Sequence, residues 1–396
     1  MHVLIVSDAD SRYGASHSLK QMVKELLNSY ENDIKISVLL LSTARSLKNE
    51  LEKYGAYVIC VKYEPYYQGV PYDKWKKPIK YVIKGIGYLW GKYIGVRKID
   101  KCMNMSEIDI IHSNSSREDL GALLAEKHHK PLLWHIREFG DEDYRCYSYR
   151  KDYIELMNRT ADKLIVVSDA VRNHWIKKGI FSEKILTVYN GVEWREDEGV
   201  AEIVNLKDKV KIIMMGSISE TKGQMQLLAA IAQMKSELRN RISVDIVGSG
   251  PNGYMKRLQR YIMENGLEKT INLKGYIDDS SKLLNQYHLG IVCSRSEGFG
   301  RVTAEYMMAG LSVIASNTGA NDELIRDGVD GLLYTYGMIE DLCSKVEYLC
   351  NYPDKLAEFG SNARIRAVER FTANINAKNI YQEYKNILND RKKEYC

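Results

Sequence analysis

The chain has 396 residues, enough for two domains of ordinary size, and its 57 Lys and Arg against 52 Asp and Glu leave a formal charge of +5. That balance is too even to point to nucleic acid. Seven cysteines are scattered with no Cys-x-x-Cys pair, which argues against a disulfide framework or a zinc site and suits a reducing cytoplasm. No apolar run approaches the roughly 18 residues of a spanning helix, and the start Met1–Ser7 lacks the basic region and length of a signal peptide. A soluble or peripheral protein is expected.

His2–Ser7 reads as a first buried strand. The loop Asp10-Ser11-Arg12-Tyr13-Gly14-Ala15-Ser16 follows it and opens a helix over Ser16–Asn28. Ligands sit beyond the carboxyl ends of parallel strands, so this loop borders a binding crevice where Gly14 permits close backbone approach. Strands are next expected at Ile34–Leu41 and Tyr57–Val61.

Residues 62–101 then hold ten Lys and Arg against three Asp and Glu, interleaved with Tyr63, Tyr66, Tyr67, Tyr72, Trp75, Tyr81, Tyr88, Trp90 and Tyr93. At helical spacing Ile79, Val82, Ile83, Ile86, Trp90 and Tyr93 share one face, with Lys77, Lys80 and Lys84 opposite. Such a segment suits an anionic membrane surface. Gly85, Gly87, Gly91 and Gly95 weaken the helix and allow a break. No nucleic-acid module surrounds the strip.

Further on, strands at Ile108–His112, Leu132–Ile136, Lys163–Ser168 and Ile185–Tyr189 alternate with helical patterns such as Arg117–Lys127. Polar groups crowd two strand ends, His112-Ser113-Asn114 and His135-Ile136-Arg137-Glu138. Two histidines facing one crevice favour contact with a substrate, where one can orient a hydroxyl or assist proton movement. The turn Asn190-Gly191-Val192 and the acidic stretch Glu193–Glu202 mark a boundary.

In the second half Val210–Gly216 is a strand whose following loop reaches Lys222-Gly223 at the start of a helix over Lys222–Lys235. A lysine there can stabilise charge on a leaving diphosphate. Strands at Ser243–Gly248, Ile271–Lys274, Leu289–Cys293 and Ser312–Ser316 alternate with helices at Pro251–Asn265 and Val302–Ala309, and the tail Phe371–Lys393 reads as one or two amphipathic helices. The alternation predicts an α/β protein of two doubly wound, Rossmann-like parallel sheets covered on both faces. The most informative segment runs from Glu297 to Glu305. Its glycines sit in a strand-to-helix turn where backbone N–H groups meet the positive end of a helix, a place that accepts phosphate. One carboxylate then faces the sugar of a sugar nucleotide and the other its ribose. Asp278-Asp279 and Asp8-x-Asp10 read as turn residues, so no Asp-x-Asp metal site is expected.

On Gly14, His135, Asn190-Gly191-Val192, Gly216 with Lys222-Gly223, Gly248-Ser249-Gly250-Pro251 and Glu297-x7-Glu305, the chain resembles the retaining glycosyltransferase family 4, the glycosyl transferases group 1. The resemblance implies a GT-B fold with two domains facing a central crevice. Residues 1–192 would form the acceptor side, 193–207 a linker and 208–370 the nucleotide-sugar domain, with 371–396 packing back on the first domain. It implies that Glu297, His135 and Lys222 are catalytic. Gly14, Ser217, Lys222, Gly223, Phe299, Gly300, Arg301, Val302 and Glu305 would bind the donor, and His112, Asn114, Arg137 and Glu138 would lie on the acceptor side.

No cofactor or metal is implied, only a nucleoside diphosphate sugar as co-substrate. The acceptor would be a glycan, lipid-linked, in bacterial surface polysaccharide synthesis at the inner face of the plasma membrane. One departure stands out: where the family has an arginine after the strand-end glycine, this chain has Ser217, and Arg301 is the candidate replacement. Two other readings stay open, a non-catalytic partner or glycan-binding protein on the same fold, and a sugar-nucleotide 2-epimerase.

Overall fold

The computed structural model describes residues 1–9, 14–41, 45–63, 66–71, 78–140, 143, 146–193, 209–277 and 280–394. Four stretches singled out in the sequence lie wholly or partly outside them: Asp10–Tyr13 of the first loop, Tyr72 to Lys77, most of the linker, and Asp278-Asp279. The chain divides into two compact units, one of Met1–Gly191 with Ala373–Cys396, the other of Val192–Thr372. Val192, expected in the first domain, thus falls in the second, where its N–H donates to Phe371 O at 2.8 Å.

In the first unit β1 (His2–Ser7), β2 (Lys35–Leu40), β3 (Tyr57–Cys60), β5 (Ile110–Ser113), β6 (Leu132–Ile136), β8 (Lys163–Val166) and β9 (Ile185–Thr187) form one parallel sheet in the order β3-β2-β1-β5-β6-β8-β9. Its strands are near-continuous Val, Ile and Leu runs because both faces are covered. The order reverses direction between β1 and β5, so the carboxyl ends of those two strands are the switch point where an open α/β sheet takes its ligand. A short antiparallel ribbon, β4 (Tyr67–Pro71) with β7 (Cys146–Ser148), stands apart.

The tail is a single helix, Ala373–Glu394. Its Ala377, Ile380, Tyr384 and Ile387 are buried in the same core as Leu19, Met22, Val23 and Leu26 of α1 (Gly14–Ser29). The Tyr30 and Tyr381 rings stack at 3.7 Å, and Arg391 Nε reaches Asp162 Oδ1 at 2.5 Å. Between α1 and the basic strip lies α2 (Arg45–Lys53).

The basic strip forms α3 (Pro78–Cys102), which runs unbroken through its glycines where the sequence allowed a break. The reason is packing. A Cβ on Gly95 would stand 3.0 Å from the Tyr63 ring, and one on Gly85 3.1 Å from the Tyr149 ring, so the glycines let tyrosines lie against the helix backbone. Fully buried Asp119 anchors the same face, accepting Tyr63 Oη and Tyr88 Oη at 2.6 Å each and Arg150 Nη1 at 2.9 Å. Val82, Ile83, Ile86, Leu89, Trp90 and Ile94 remain 43–66% exposed. Of the expected basic counter-face, Lys77 and the Lys80 side chain lie outside the described residues and Lys84 is half-buried; Arg97, Lys98 and Lys101 are exposed farther along the helix.

The second unit is a parallel sheet in the order β12-β11-β10-β13-β14-β15, made of β10 (Val210–Met215), β11 (Ile242–Val247), β12 (Ile271–Gly275), β13 (Leu289–Val292), β14 (Ser312–Ser316) and β15 (Leu332–Tyr334). Its switch point lies between β10 and β13, which brings the Lys222 loop and the Glu297 loop to one place. The sequence reading names no element between 317 and 370, where β15 and the helices Ile339–Asn351 and Pro353–Arg370 stand. The latter two bury Leu342, Val346, Leu349, Leu356 and Phe359 against the sheet.

Candidate active site

In the second unit, β10 ends at Met215 and the chain turns through Gly216 and exposed Ser217, whose carbonyl accepts Gln224 Nε2 at 3.0 Å. Lys222 closes a single 3-10 turn, Glu220–Lys222, and does not yet belong to the helix, which starts at Gln224. Gly223 between them has φ +71°, and a Cβ there would sit 2.1 Å from Cys293 O. Only glycine lets this turn press on the end of β13. Arg295 N–H donates to Thr221 O at 2.8 Å and completes the joint. Lys222 Nζ thereby reaches Glu297 Oε1 at 2.5 Å, both side chains partly exposed.

Glu297 is held from its other side by the loop after β14. Ala320 N–H donates to Glu297 O at 2.9 Å, and a Cβ on Gly319 would lie 2.2 Å from that oxygen. Gly300 precedes the helix Arg301–Met308 in a left-handed conformation and offers no side-chain cap, so the first-turn N–H groups face outward for an anion. Thr303 Oγ1 donates to Asn321 Oδ1 at 2.9 Å and fixes this helix end to the same loop. Arg301 Nε binds Glu305 Oε1 at 2.7 Å, and Arg301 Nη1 is buried with no partner among the described residues. A buried donor left unmade costs about 1–3 kcal/mol. The Phe299 ring packs edge-on against Phe371 at 5.9 Å. Val302 is half-buried on the first turn.

Tyr306 and Gly290 are positioning residues that the sequence reading missed. The Tyr306 hydroxyl accepts Met215 N–H at 2.6 Å, and its ring lies where a Cβ on Gly290 would be, 2.2 Å away. A glycine inside a strand was the available signal, since it marks close approach of a neighbour.

In the first unit, a Cβ on Gly14 would meet nothing within 4 Å among the described residues. His112 lies on β5 and His135 on β6, both fully buried, with His112 Nε2 3.2 Å from His135 Nδ1. His112 Nδ1 contacts Tyr384 Oη at 2.6 Å, a partner from the C-terminal helix that sequence reading did not find. Arg137 was expected on the acceptor side. Its guanidinium joins Asn114 Oδ1 at 2.8 Å, Asn190 Oδ1 at 2.6 Å and His135 Nδ1 at 3.2 Å. Asn114 Nδ2 donates to Ser7 Oγ at 3.2 Å.

Glu138 also turns inward, accepting Ser116 N–H at 2.7 Å and Ser116 Oγ at 2.5 Å. Burial raises its carboxyl above the ordinary carboxylate range, moderated by those bonds. Burial and the Arg137 cation push the His112 ring down to about 3 and hold His135 well below its ordinary range, so both rings are neutral at neutral pH. His135 Nε2 is buried without a partner among the described residues. No group of three or more His, Cys, Asp or Glu that could hold a metal ion gathers among the described residues, and no helix of the described residues is long and apolar enough to cross a membrane.

Two family profiles match the chain: Glycosyltransferase Family 4 over residues 36–194 and Glycosyl transferases group 1 over residues 197–366. An uncharacterized glycosyltransferase of Methanocaldococcus jannaschii is 28% identical over 287 residues, which are 71% of this chain and 76% of that protein. The capsular polysaccharide biosynthesis glycosyltransferase CapH of Staphylococcus aureus is 25% identical over 240 residues, 57% of this chain and 64% of that one. In three dimensions the chain is similar to Anabaena HepE, solved in complex with UDP, with a TM-score of 0.78 at 23% identity, covering 98% of this chain and 100% of that one. Matched on both units, the chain belongs to the glycosyltransferases described as glycosyl transferases group 1, and its two parallel-sheet units are a GT-B fold.

Proposed function

We propose that the chain moves a sugar from a nucleoside diphosphate sugar to a hydroxyl acceptor with retention at the anomeric carbon. The acceptor in this reading is a lipid-linked glycan on the way to a surface polysaccharide. One observation carries the reading: at the switch point of the second unit, Lys222–Glu297 and Arg301–Glu305 flank the uncapped start of the helix Arg301–Met308.

A diphosphate bound there draws Lys222 away from Glu297, and the freed carboxylate turns to the donor sugar. Glu305 takes the ribose hydroxyls. Charge developing on the leaving phosphate is met by Lys222, by Arg301 and by the helix N–H groups, an electrostatic contribution of the oxyanion-hole kind that calls for no metal. The leaving phosphate accepts the proton of the attacking hydroxyl, which adds to the same face it vacates. The UDP bound by HepE supports a uridine nucleotide, and the naming of CapH supports a polysaccharide product. The outward apolar stripe of α3 supports work at an anionic membrane surface, where a lipid-linked acceptor resides.

A second reading, a non-catalytic partner, draws on Ser217 alone, since a cation is absent there. Thermal unfolding against a panel of UDP-, GDP- and ADP-linked sugars tests the proposal. One of them at 100 times its Kd should stabilise the chain by about 2.7 kcal/mol and be slowly hydrolysed without acceptor. Stabilisation without hydrolysis or transfer would favour the non-catalytic reading.

A further inference from the structure

We infer that Arg137, His112 and Tyr384 fix the proton arrangement of His135 so that it meets its ligand as a neutral Nε2–H donor. On the transfer reading above, these three are positioning residues for the reaction. A guanidinium can only donate hydrogen bonds. Arg137 Nη2 stands 3.2 Å from His135 Nδ1, so that nitrogen presents its lone pair, and a neutral ring then carries its hydrogen on Nε2. His112 Nε2 faces the same lone pair at 3.2 Å and must therefore be protonated too. Its own Nδ1 is then bare and accepts the Tyr384 hydroxyl at 2.6 Å. Every hydrogen along Tyr384–His112–His135 thus points the same way, and the chain ends on a buried N–H with no partner among the described residues.

The groups facing these rings keep the arrangement in place. Arg137 is oriented by Asn114 and Asn190, and its positive charge adds to burial in keeping both imidazoles neutral. Burial raises the Tyr384 hydroxyl well above its ordinary range, so it keeps its proton. With Nδ1 engaged by Arg137 and Nε2 protonated, His135 has no free lone pair. It cannot serve as a general base and instead donates to a ligand oxygen at the carboxyl end of β6.

Long-range proton–nitrogen correlation spectra of the full chain labelled with 15N-histidine read the ring states directly. Both rings should be neutral with the hydrogen on Nε2 from pH 6 to 8. Either ring charged at pH 7, or His135 with its hydrogen on Nδ1, overturns the inference. Kinetics supply the second arm, with the same nucleotide-sugar panel. His135→Gln keeps an N–H donor at similar reach and should stay within about tenfold of wild-type kcat, while His135→Glu, an acceptor, should lose about a hundredfold or more. Glu outperforming Gln would mean a base and sink the idea. Tyr384→Phe should lower kcat about tenfold with donor KM nearly unchanged and the melting temperature lowered by no more than the loss of one buried hydrogen bond, and should let the His112 hydrogen redistribute toward Nδ1. An unchanged kcat removes Tyr384 from the positioning role. A wild-type chain that turns over none of the panel overturns the transfer reading instead, and the spectra alone then decide the ring states.

Discussion

At the switch point of the second unit, charge is arranged as two acid–base pairs whose members stand in different surroundings. Lys222 and Glu297 are partly exposed and can exchange each other for a ligand, whereas Arg301 keeps Glu305 on one edge and has a buried Nη1 with no partner among the described residues on the other. If Arg301 supplies the cation that is missing at Ser217, removing it takes away a charge-assisted hydrogen bond of about 1.5–3 kcal/mol. Arg301→Ala should then weaken nucleoside diphosphate binding roughly ten- to hundredfold by titration calorimetry, and Lys222→Ala should lower kcat/KM by at least as much. Adding Ser217→Arg to the Arg301→Ala chain should recover binding. Unchanged affinity and turnover in Arg301→Ala, with Lys222→Ala inactive, would end the compensation idea.

The residue types of this site were legible because a strand-to-helix turn is a local pattern. Their pairing was not, since it depends on Gly223 meeting Cys293 and Gly319 meeting Glu297, contacts between segments far apart in the chain. Arg137 and Glu138 lie just past the end of β6, where strand alternation no longer tells inward from outward, and both turned inward. Tyr384 lies in a tail that the sequence marks only as amphipathic helix, which does not single it out.

Among the described elements, α3 keeps an outward apolar stripe. Periodicity found its apolar face, but only the structure shows that the glycines serve the opposite face, where Tyr63 and Tyr149 press on the backbone and Asp119 anchors Tyr88. The consequence is that Ile86, Leu89 and Trp90 are turned outward, with Arg97, Lys98 and Lys101 following them along the helix. Apolar side chains in the headgroup region and cations against anionic lipid act together, each basic residue adding about 1 kcal/mol near the surface. The chain should therefore co-sediment with vesicles containing phosphatidylglycerol and much less with pure phosphatidylcholine. Replacing Ile86 and Trp90 by Ser should abolish recovery with both, while melting temperature stays the same because neither side chain is buried. Replacing Arg97, Lys98 and Lys101 by Glu should erase the preference for anionic vesicles. Equal recovery of the wild type with neutral and anionic vesicles would count against this surface.

At the scale of the whole molecule, chain order and domain membership part company. The first unit is assembled from the first 191 residues and from the last helix, which supplies Ala377, Ile380, Tyr384 and Ile387 to a core shared with the first sheet, α1 and α2. Two doubly wound sheets were legible from strand–helix alternation alone, because buried parallel strands read as short apolar runs. The share of the last helix in the first core was not, since amphipathicity says that a face is buried without saying against what. Among the described residues, none of the second core comes from that helix, so damage to it should stay within the first unit. Ile380 is fully buried, and Ile380→Asp places an unpaired charge among aliphatic side chains. A cost of about 4 kcal/mol or more is expected, a large part of the roughly 5–15 kcal/mol that holds a domain together. Limited proteolysis of the full-length variant should then degrade residues 1–191 quickly and leave a protected fragment close to Val192–Thr372. Equal sensitivity of both regions would show that the two units do not unfold separately, and an unchanged digestion pattern would show that the last helix contributes little to the first core.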